Sequence, residues 1–524
     1  MAAARRAVTQ VARSAADLPG VTVRSGDVAT SELLTQGLDA LLVPVAPAAE
    51  GANAQNDDGV QPRVGATEAA VRYGIDLGDL AERLRADGSA GSTWTIQLPR
   101  AAGEASLPWD GLPPRLVLVG VGAGTITDLR RAGAAVARAS TGLGRVATTV
   151  ASGADEGASA FVEGYLLGAY RHPTAATKRP APGPAGELVL LGEYPDVEPV
   201  RHLAAATWTA RTLAVTPSST KSPAWLADQA VAAARRAGLT TEVLGPDELA
   251  VRGFAGILAV GAGSATPPRL VVVRYEPDGG GERHVVVAGK GITYDTGGLA
   301  IKPRESMVAM KTDMTGAAVA LATVLGAAAL QVPQRVTALL PLAENAFGAS
   351  SYRPGDIVTF RGGTSVEVVN PDAEGRMVLA DALAYADAEL DPDVLVDVAT
   401  LTGAATLGLG QQHGALFTPD DDLAAALTAA GDAEGERLWR LPLVEEYRRA
   451  LASPVADVRH VAEPGTGAGA VTAALFLQRF VGTRRWAHLD IAGPARSART
   501  AHEVPEGATG FGARVLLRWL LDGR

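Results

Sequence analysis

The strongest constraint on this chain's fold is the recurrence of short, β-branched apolar runs between alanine-rich stretches of helical period. Such runs can be buried only in a sheet covered by helices, which predicts an α/β architecture. In the first half the strand candidates are Ala40 to Val45, Arg115 to Gly120, Val146 to Val150 and Leu188 to Leu191, and helices are expected around Glu68 to Tyr73, Asp128 to Thr141 and Gly157 to Ala169. The second half is denser, with Leu270 to Tyr275, Val285 to Ala288, Val336 to Leu340, Val394 to Val398 and Trp486 to Ile491. Nearly continuous apolar runs of this length read as strands buried on both faces, so a mixed, largely parallel sheet is expected there. The sequence Asp278-Gly-Gly-Gly-Glu282 between the first two of these runs signals a hairpin or tight loop.

A chain of 524 residues exceeds one ordinary domain, and its 47% hydrophobic content is ample for sizeable cores. The Pro-rich, mixed-charge stretch from His172 to Gly186 reads as an exposed connection. The boundary is expected after the following strand, giving a smaller amino-terminal α/β domain over residues 1–199, leader included, and a second domain over 200–524. The net charge of −10 argues against a nucleic-acid partner, which a basic surface would serve better. The absence of cysteine rules out a disulfide framework and thiolate metal sites, and it fits a reducing cytoplasm. Arginines appear early, but no continuous apolar segment precedes Asp17, so a frayed or weakly helical leader is expected rather than a secretory signal. The longest apolar stretch, Gly316 to Leu330, is too short to read as a membrane span and reads as a buried helix running on from Asp313.

Three short blocks carry the chemistry. They are Gly289-Lys-Gly-Ile-Thr-Tyr-Asp295-Thr-Gly-Gly298, Met310-Lys-Thr-Asp313-Met314 and Asn370-Pro-Asp372-Ala-Glu374-Gly-Arg376. Asp295, Asp313, Asp372 and Glu374 offer four carboxylates, and Asp-Ala-Glu would set two of them on one face if that segment is extended. Two divalent cations about 3.5–4 Å apart can hold a water, lower its pKa and polarise a carbonyl, and they need such anionic, partly bridging ligands. Oxygen-rich ligation suits Mg, Mn and, less exclusively, Zn. Lys290 ends an apolar run, where a lysine must be paired, neutralised or bound to a metal. Any one Asp-x-Glu or Gly-Lys-Gly alone reads as a turn or a solvated edge, and a lone acid after Met-Lys-Thr as a helix cap. Co-occurrence of all three blocks is what points to a binuclear site.

These blocks, in this order, resemble the leucyl aminopeptidase family, the cytosolic M17-type metallopeptidases. The resemblance runs from about Thr212 to Gly512 and includes Tyr352-Arg-Pro-Gly-Asp356, Asp397-Val-Ala-Thr-Leu-Thr-Gly403 and Ala487-His-Leu-Asp-Ile-Ala-Gly493. Upstream it is looser, through Glu163 to Tyr170, and it implies a macro-like fold for the amino-terminal domain. It implies a catalytic carboxyl-terminal domain in which Asp295 and Glu374 bridge two metals. Lys290, as a neutral amine, and Asp313 would complete the tighter metal site, and Asp372 the more exchangeable one. Lys302 would keep its charge and stabilise the oxyanion, while Arg376 would hold a bicarbonate ion as proton shuttle. Met310, Thr400, Leu401 and Gly403 match positions that shape the first substrate pocket, and a soft methionine accepts several apolar shapes. Peptides with a free amino terminus, Leu-like residues foremost, are the implied substrates, Zn or Mn (with Mg as a further candidate) the implied metals, and a homohexamer the implied assembly.

The chain departs from the family's usual residues in several places. Pro371 stands where Thr is usual and removes a backbone N–H beside ligand Asp372. Tyr294 and Thr296 replace Phe and Ser, and Val215 and His460 stand where Asn is common. His488 and His413 read as structural or pocket-lining, since no pair of histidines has a metal-binding helical spacing. Gly120-Val-Gly-Ala-Gly-Thr125 lacks the full dinucleotide spacing and reads as a strand-to-helix turn, and Gly289-Lys-Gly291 is not a phosphate-binding loop. The rival readings are a nucleic-acid-binding or regulatory second role and nucleotide-ligand binding by the amino-terminal domain.

Overall fold

The computed structural model describes residues 11–48, 59–99, 106–173, 182–281 and 283–523. The leader expected at the amino terminus, most of the connection around 174–181, and Glu282 lie outside these residues. The chain forms two compact units, one from the described residues of Ser14–Ala205 with Arg499–Pro505, the other from residues 11–13, 206–498 and 506–523.

The smaller unit is built on a seven-stranded sheet of β1 (Gly20–Arg24), β2 (Ala40–Pro47), β3 (Val60–Pro62), β4 (Thr93–Gln97), β5 (Arg115–Gly120), β6 (Arg145–Thr148) and β7 (Glu187–Leu191). The order is β1-β7-β6-β2-β5-β4, with β3 on β2; all neighbours are parallel except β4 and β3. Central strands are apolar on both faces because helices cover them: Leu41, Val43, Leu116 and Leu118 pack with Tyr73 and Ala69 from the helix Ala66–Tyr73. Gly120 to Thr125 form the expected turn, with Thr125 capping the helix Ile126–Ala139 through Asp128 N–H at 3.2 Å.

The larger unit contains β8 (Thr240–Leu244), β9 (Arg269–Tyr275), β10 (His284–Gly289), β11 (Gly291–Asp295), β12 (Arg335–Asn345), β13 (Ile357–Thr359), β14 (Ser365–Glu367), β15 (Val394–Ala399), β16 (Gly414–Phe417), β17 (Leu438–Arg440), β18 (Val458–Arg459) and β19 (Arg485–Asp490). A nine-stranded sheet runs β17-β16-β19-β15-β10-β12-β9-β8, with β11 beside β12. The centre, β19-β15-β10-β12, is parallel, while β9 joins β12 and β16 joins β19 in antiparallel sense. β12 separates β9 from β10, so the Gly279-Gly280 turn is a tight loop and not the hairpin that the glycines also allowed. A second small sheet orders β13-β14-β18.

The helix Thr315–Ala329 lies against this centre and is buried along almost its whole length. By length and composition the helical run Arg304–Ala329 could cross a membrane, but 83% of its most apolar window is buried inside the protein, as in a core helix. Two glycines let it come so close: a Cβ on Gly316 would meet Val398 O at 2.1 Å and Lys290 N at 2.7 Å, and one on Gly289 would meet Gly316 O at 2.2 Å. Gly316→Ala must therefore push the helix off the ends of β10 and β15, and we expect it to cost at least about 3 kcal/mol. Urea denaturation measures this loss; a midpoint equal to that of the parent protein would show that the contact can relax.

Candidate metal centre

The parallel central strands deliver their carboxyl ends to one edge of the sheet, where ligands gather in open α/β folds. Lys290 follows β10, Asp295 ends β11, Asn345 ends β12, Thr400 follows β15 and Asp490 ends β19. The backbone of Lys290 is fixed on two sides, by its N–H to Val398 O at 3.0 Å and by its carbonyl to Ala317 N–H at 2.8 Å. Asp313 closes a short 3-10 turn, Met310–Thr312, just before the Thr315–Ala329 helix. Glu374 opens the helix Glu374–Tyr385. Asp372 and Ala373 lie in the turn leading into that helix, so the extended Asp-Ala-Glu geometry is corrected: a turn into a helix start, not strand alternation, brings the two carboxylates together.

All five ligand candidates and Lys302 converge. Asp295, Asp372 and Glu374 each offer a carboxylate oxygen within 4.8 Å of the others. Lys290 Nζ stands 2.8 Å from both Asp313 Oδ2 and Glu374 Oε1 and donates to Thr400 O at 2.9 Å. Lys302 Nζ pairs with Asp295 Oδ2 at 2.8 Å and closely with Asp372 Oδ1. Asp313 Oδ2 and Asp372 Oδ1 are met by the lysine ammonium groups, and buried Glu374 Oε2 has no hydrogen-bond partner among the described residues. Oxygen atoms so placed fit cation ligands, since buried acceptors are otherwise satisfied.

The electrostatics point the same way. Burial pushes the carboxyl of Asp295 up to about 6, helped by the Glu374 charge and opposed by Lys302 and Lys290. Asp313 is pushed up to about 8 by burial, against the pull of Lys290. Glu374 is held below the usual range because the two lysines outweigh its burial. Burial alone would lower Lys290 and Lys302, but the surrounding carboxylates raise both. Both lysines are thus ammonium groups against the carboxylates alone, and a neutral Lys290 needs a cation to replace its charge. Four carboxyl groups face two ammonium groups, and the upward push on Asp295 and Asp313 shows that ionising all four calls for further positive charge, which divalent cations can supply.

Several supporting residues carried no assigned role in the sequence. Asn345 Nδ2 donates to Asp295 Oδ1 at 2.8 Å and to Pro371 O at 3.0 Å, and Tyr352 OH donates to the same Pro371 carbonyl at 2.7 Å. The Pro371 loop is held through its carbonyl, a group that proline retains. Asp490 accepts from Leu401 N–H at 3.1 Å, Thr402 N–H at 3.0 Å and the Thr402 hydroxyl at 2.6 Å, which fixes the loop bearing Thr400, Leu401 and Gly403. Thr400 Oγ1 donates to Asp313 Oδ1 at 2.7 Å, and half-buried Met310 begins the turn that Asp313 closes. An acid at the end of a central strand is the signal that could have found Asp490.

Arg376 is buried and donates from Nη1 to His460 O at 2.6 Å, while its Nε has no hydrogen-bond partner among the described residues. His460 is fully buried, with Nδ1 at 3.1 Å from both Val369 N and Glu367 O and Nε2 at 2.9 Å from Asn370 O. Burial and the Arg376 charge hold this imidazole down at about 4. A histidine whose folded pKa is depressed contributes stability that is present above about 6.5 and lost as pH falls through 4, here roughly 3 kcal/mol. Urea midpoints between pH 7 and 4.5 should fall less steeply in His460→Asn than in the parent protein; parallel slopes would dismiss this contribution. His488 is a core residue, its Nδ1 2.5 Å from Asp397 Oδ1 and its ring stacked on Trp486 and Phe417.

A buried cluster of carboxylates and lysines at the strand ends of an α/β sheet defines a metal-dependent hydrolase. The profile of the cytosol aminopeptidase family's catalytic domain matches residues 208–517, and that of its N-terminal domain matches residues 63–178. The chain belongs to the cytosol aminopeptidase (M17) family and is a metal-dependent aminopeptidase. It is 37% identical over 506 residues to a probable cytosol aminopeptidase of Chlorobium limicola, covering 91% of this chain and 96% of that one. It is 41% identical over 432 residues to the counterpart in Chlorobaculum tepidum, covering 77% and 85%. Among solved structures, the bottromycin maturation enzyme BotP in complex with Mn is similar with a TM-score of 0.79 and 35% identity, covering 93% of this chain and 99% of that one. A mutant of tomato leucine aminopeptidase is similar with a TM-score of 0.82 and 28% identity, covering 99% and 100%.

Proposed function

We propose that the catalytic domain, residues 200–524, removes amino-terminal residues from unblocked peptides with the aid of two divalent cations, Leu-like residues being preferred. The observation that carries this is the convergence of Asp295, Asp372 and Glu374 with Lys290 and Lys302 at one sheet edge. Asp295, Glu374, Lys290, Asp313 and Asp372 would hold the cations, Lys290 and Asp313 at the tighter position, Asp372 at the more exchangeable one, and Asp295 and Glu374 serving both. Zn or Mn is the preferred pair, Mg a third option; the Mn bound to BotP favours manganese. When bound, the cations supply Lewis acidity and acidify water in the site.

The chain's own groups do the rest. Lys302, anchored between Asp295 and Asp372, donates to the scissile carbonyl oxygen as charge builds on it. The substrate's free α-amino group would bind a metal and Asp313, which is why a blocked amine cannot react. Arg376, whose buried Nε is unpartnered among the described residues, would hold a bicarbonate ion suited to relaying the proton. Met310, Thr400, Leu401 and Gly403 shape the first side-chain pocket. The protein acts in the cytoplasm as a homohexamer.

A Leu-peptide and its N-acetylated twin, assayed with and without chelator, test this reading. Hydrolysis of the free amine alone, and only with metal present, is the expected result. Equal cleavage of the two peptides, or activity that survives complete metal removal, rejects it.

A further inference from the structure

Lys221 is a charged side chain that the reaction does not use, yet it is 1% exposed and among the largest fully buried side chains of the protein. Its backbone is fixed, with its N–H on Pro217 O at 3.0 Å and the next residue, Ser222, capping the helix Pro223–Arg236. From this anchor the side chain turns inward, and Nζ donates to Leu213 O at 3.0 Å, Ala214 O at 2.9 Å and Lys311 O at 2.5 Å. Leu213 and Ala214 belong to the last turn of the helix Glu198–Val215, whose final carbonyls lack intrahelical partners and carry the negative end of the helix dipole. Lys311 lies in the turn between Met310 and Asp313.

The stoichiometry is that of a cation site. An ammonium group has three N–H donors, and here three carbonyl oxygens take them. A neutral amine would have only two hydrogens and would turn a lone pair toward the third carbonyl, so the cage selects the protonated form although burial and the like charge of Lys311 disfavour it. The contact is reciprocal: Lys311 Nζ donates back to Val215 O at 3.1 Å. Two crossed lysines thus tie the end of one helix to the turn that carries Asp313 and Met310.

We propose that Lys221 is a positioning residue for the Met310–Asp313 turn, its ammonium acting as a tethered monovalent cation whose three carbonyl bonds set where Asp313 and Met310 stand. This rests on the proposed ligand role of Asp313. The tether also explains how a buried charge is tolerated with no carboxylate paired to it among the described residues: the carbonyls replace its hydration.

Lys221→Ala leaves the three carbonyls facing a space that a free ammonium or potassium ion can enter. Since a small displacement of a reacting group is costly, kcat should fall at least about tenfold, with a smaller change in KM. Ammonium chloride should restore most of kcat and raise the melting temperature of the variant, because an ion that binds only the folded state stabilises it. Tetramethylammonium chloride at equal ionic strength should do neither, and the parent protein should show neither response. Lys221→Met, which fills the space without donors, should lose kcat and gain nothing from ammonium. The proposal is overturned if both variants keep kcat within about twofold of the parent, or if the two salts act alike on Lys221→Ala. Should Lys221→Ala fail to fold, Lys221→Met decides: reduced kcat and weaker divalent-metal retention support the tether, and unchanged values overturn it. The melting response needs no catalysis, so ammonium stabilisation of Lys221→Ala alongside full metal retention in Asp313→Ala would keep the tether and discard the ligand role.

Discussion

Asp372→Ala is expected to silence peptide hydrolysis while sparing the fold. Asp372 retains 31% side-chain exposure, and its partner Lys302 keeps Asp295 at 2.8 Å, so the substitution leaves no buried lysine unpaired. What it removes is a carboxylate for the more exchangeable cation. The Lewis-acid contribution of a metal is worth several kcal/mol of charge stabilisation, so turnover should drop about 10³-fold or more. Metal analysis of the gel-filtered variant should give a lower metal-to-protein ratio, with an unfolding transition close to the parent's. Full metal content together with full loss of activity would move Asp372 from ligand to another role.

Lys302→Met separates electrostatic catalysis from metal binding. Removing its ammonium leaves Asp295 and Asp372 without the positive charge that competes with divalent cations, so metal content should hold. The donor aimed at the developing oxyanion is lost, and kcat should fall about 10²- to 10³-fold with little change in KM. A proportional rise in KM with kcat intact would mean that Lys302 binds substrate instead. The two variants thus diverge in metal content while agreeing in lost turnover.

The buried strands were the most legible part of the fold. Runs such as Val285 to Ala288 are apolar on both faces because helices cover both sides of the sheet centre, and periodicity alone finds them. Strands such as Thr240–Leu244 were not found: it lies at a sheet edge with only Leu244 buried, and its pairing with β9 comes from distant residues. Gly279-Gly280 showed where the chain turns but not that β12 would enter between the flanking strands, since strand order depends on long-range contacts. At the site, Lys290, Asp295, Asp313, Asp372 and Glu374 stood out because their residue types crowd charge into three short blocks. Asn345, Asp490, His460 and Lys221 act through ordinary hydrogen bonds to groups far along the chain, such as the 90 positions between Lys221 and Lys311, and no local pattern announces such contacts. The helix start at Glu374 also escaped, because Ala373 breaks the extended geometry without any glycine or proline at its own position.

The placement of the chemistry on β10, β11, β12, β15 and β19, with β8 and β17 at the ends of the strand order, has a bearing on how the enzyme fails. Sheets loosen from their rims, where ribs have one neighbour instead of two. Neither β8 nor β17 carries a reacting group, so mild urea is expected to loosen these two ribs while the machinery keeps turning over. Catalysis then survives the first loosening and disappears only with the global collapse of the sheet's interior.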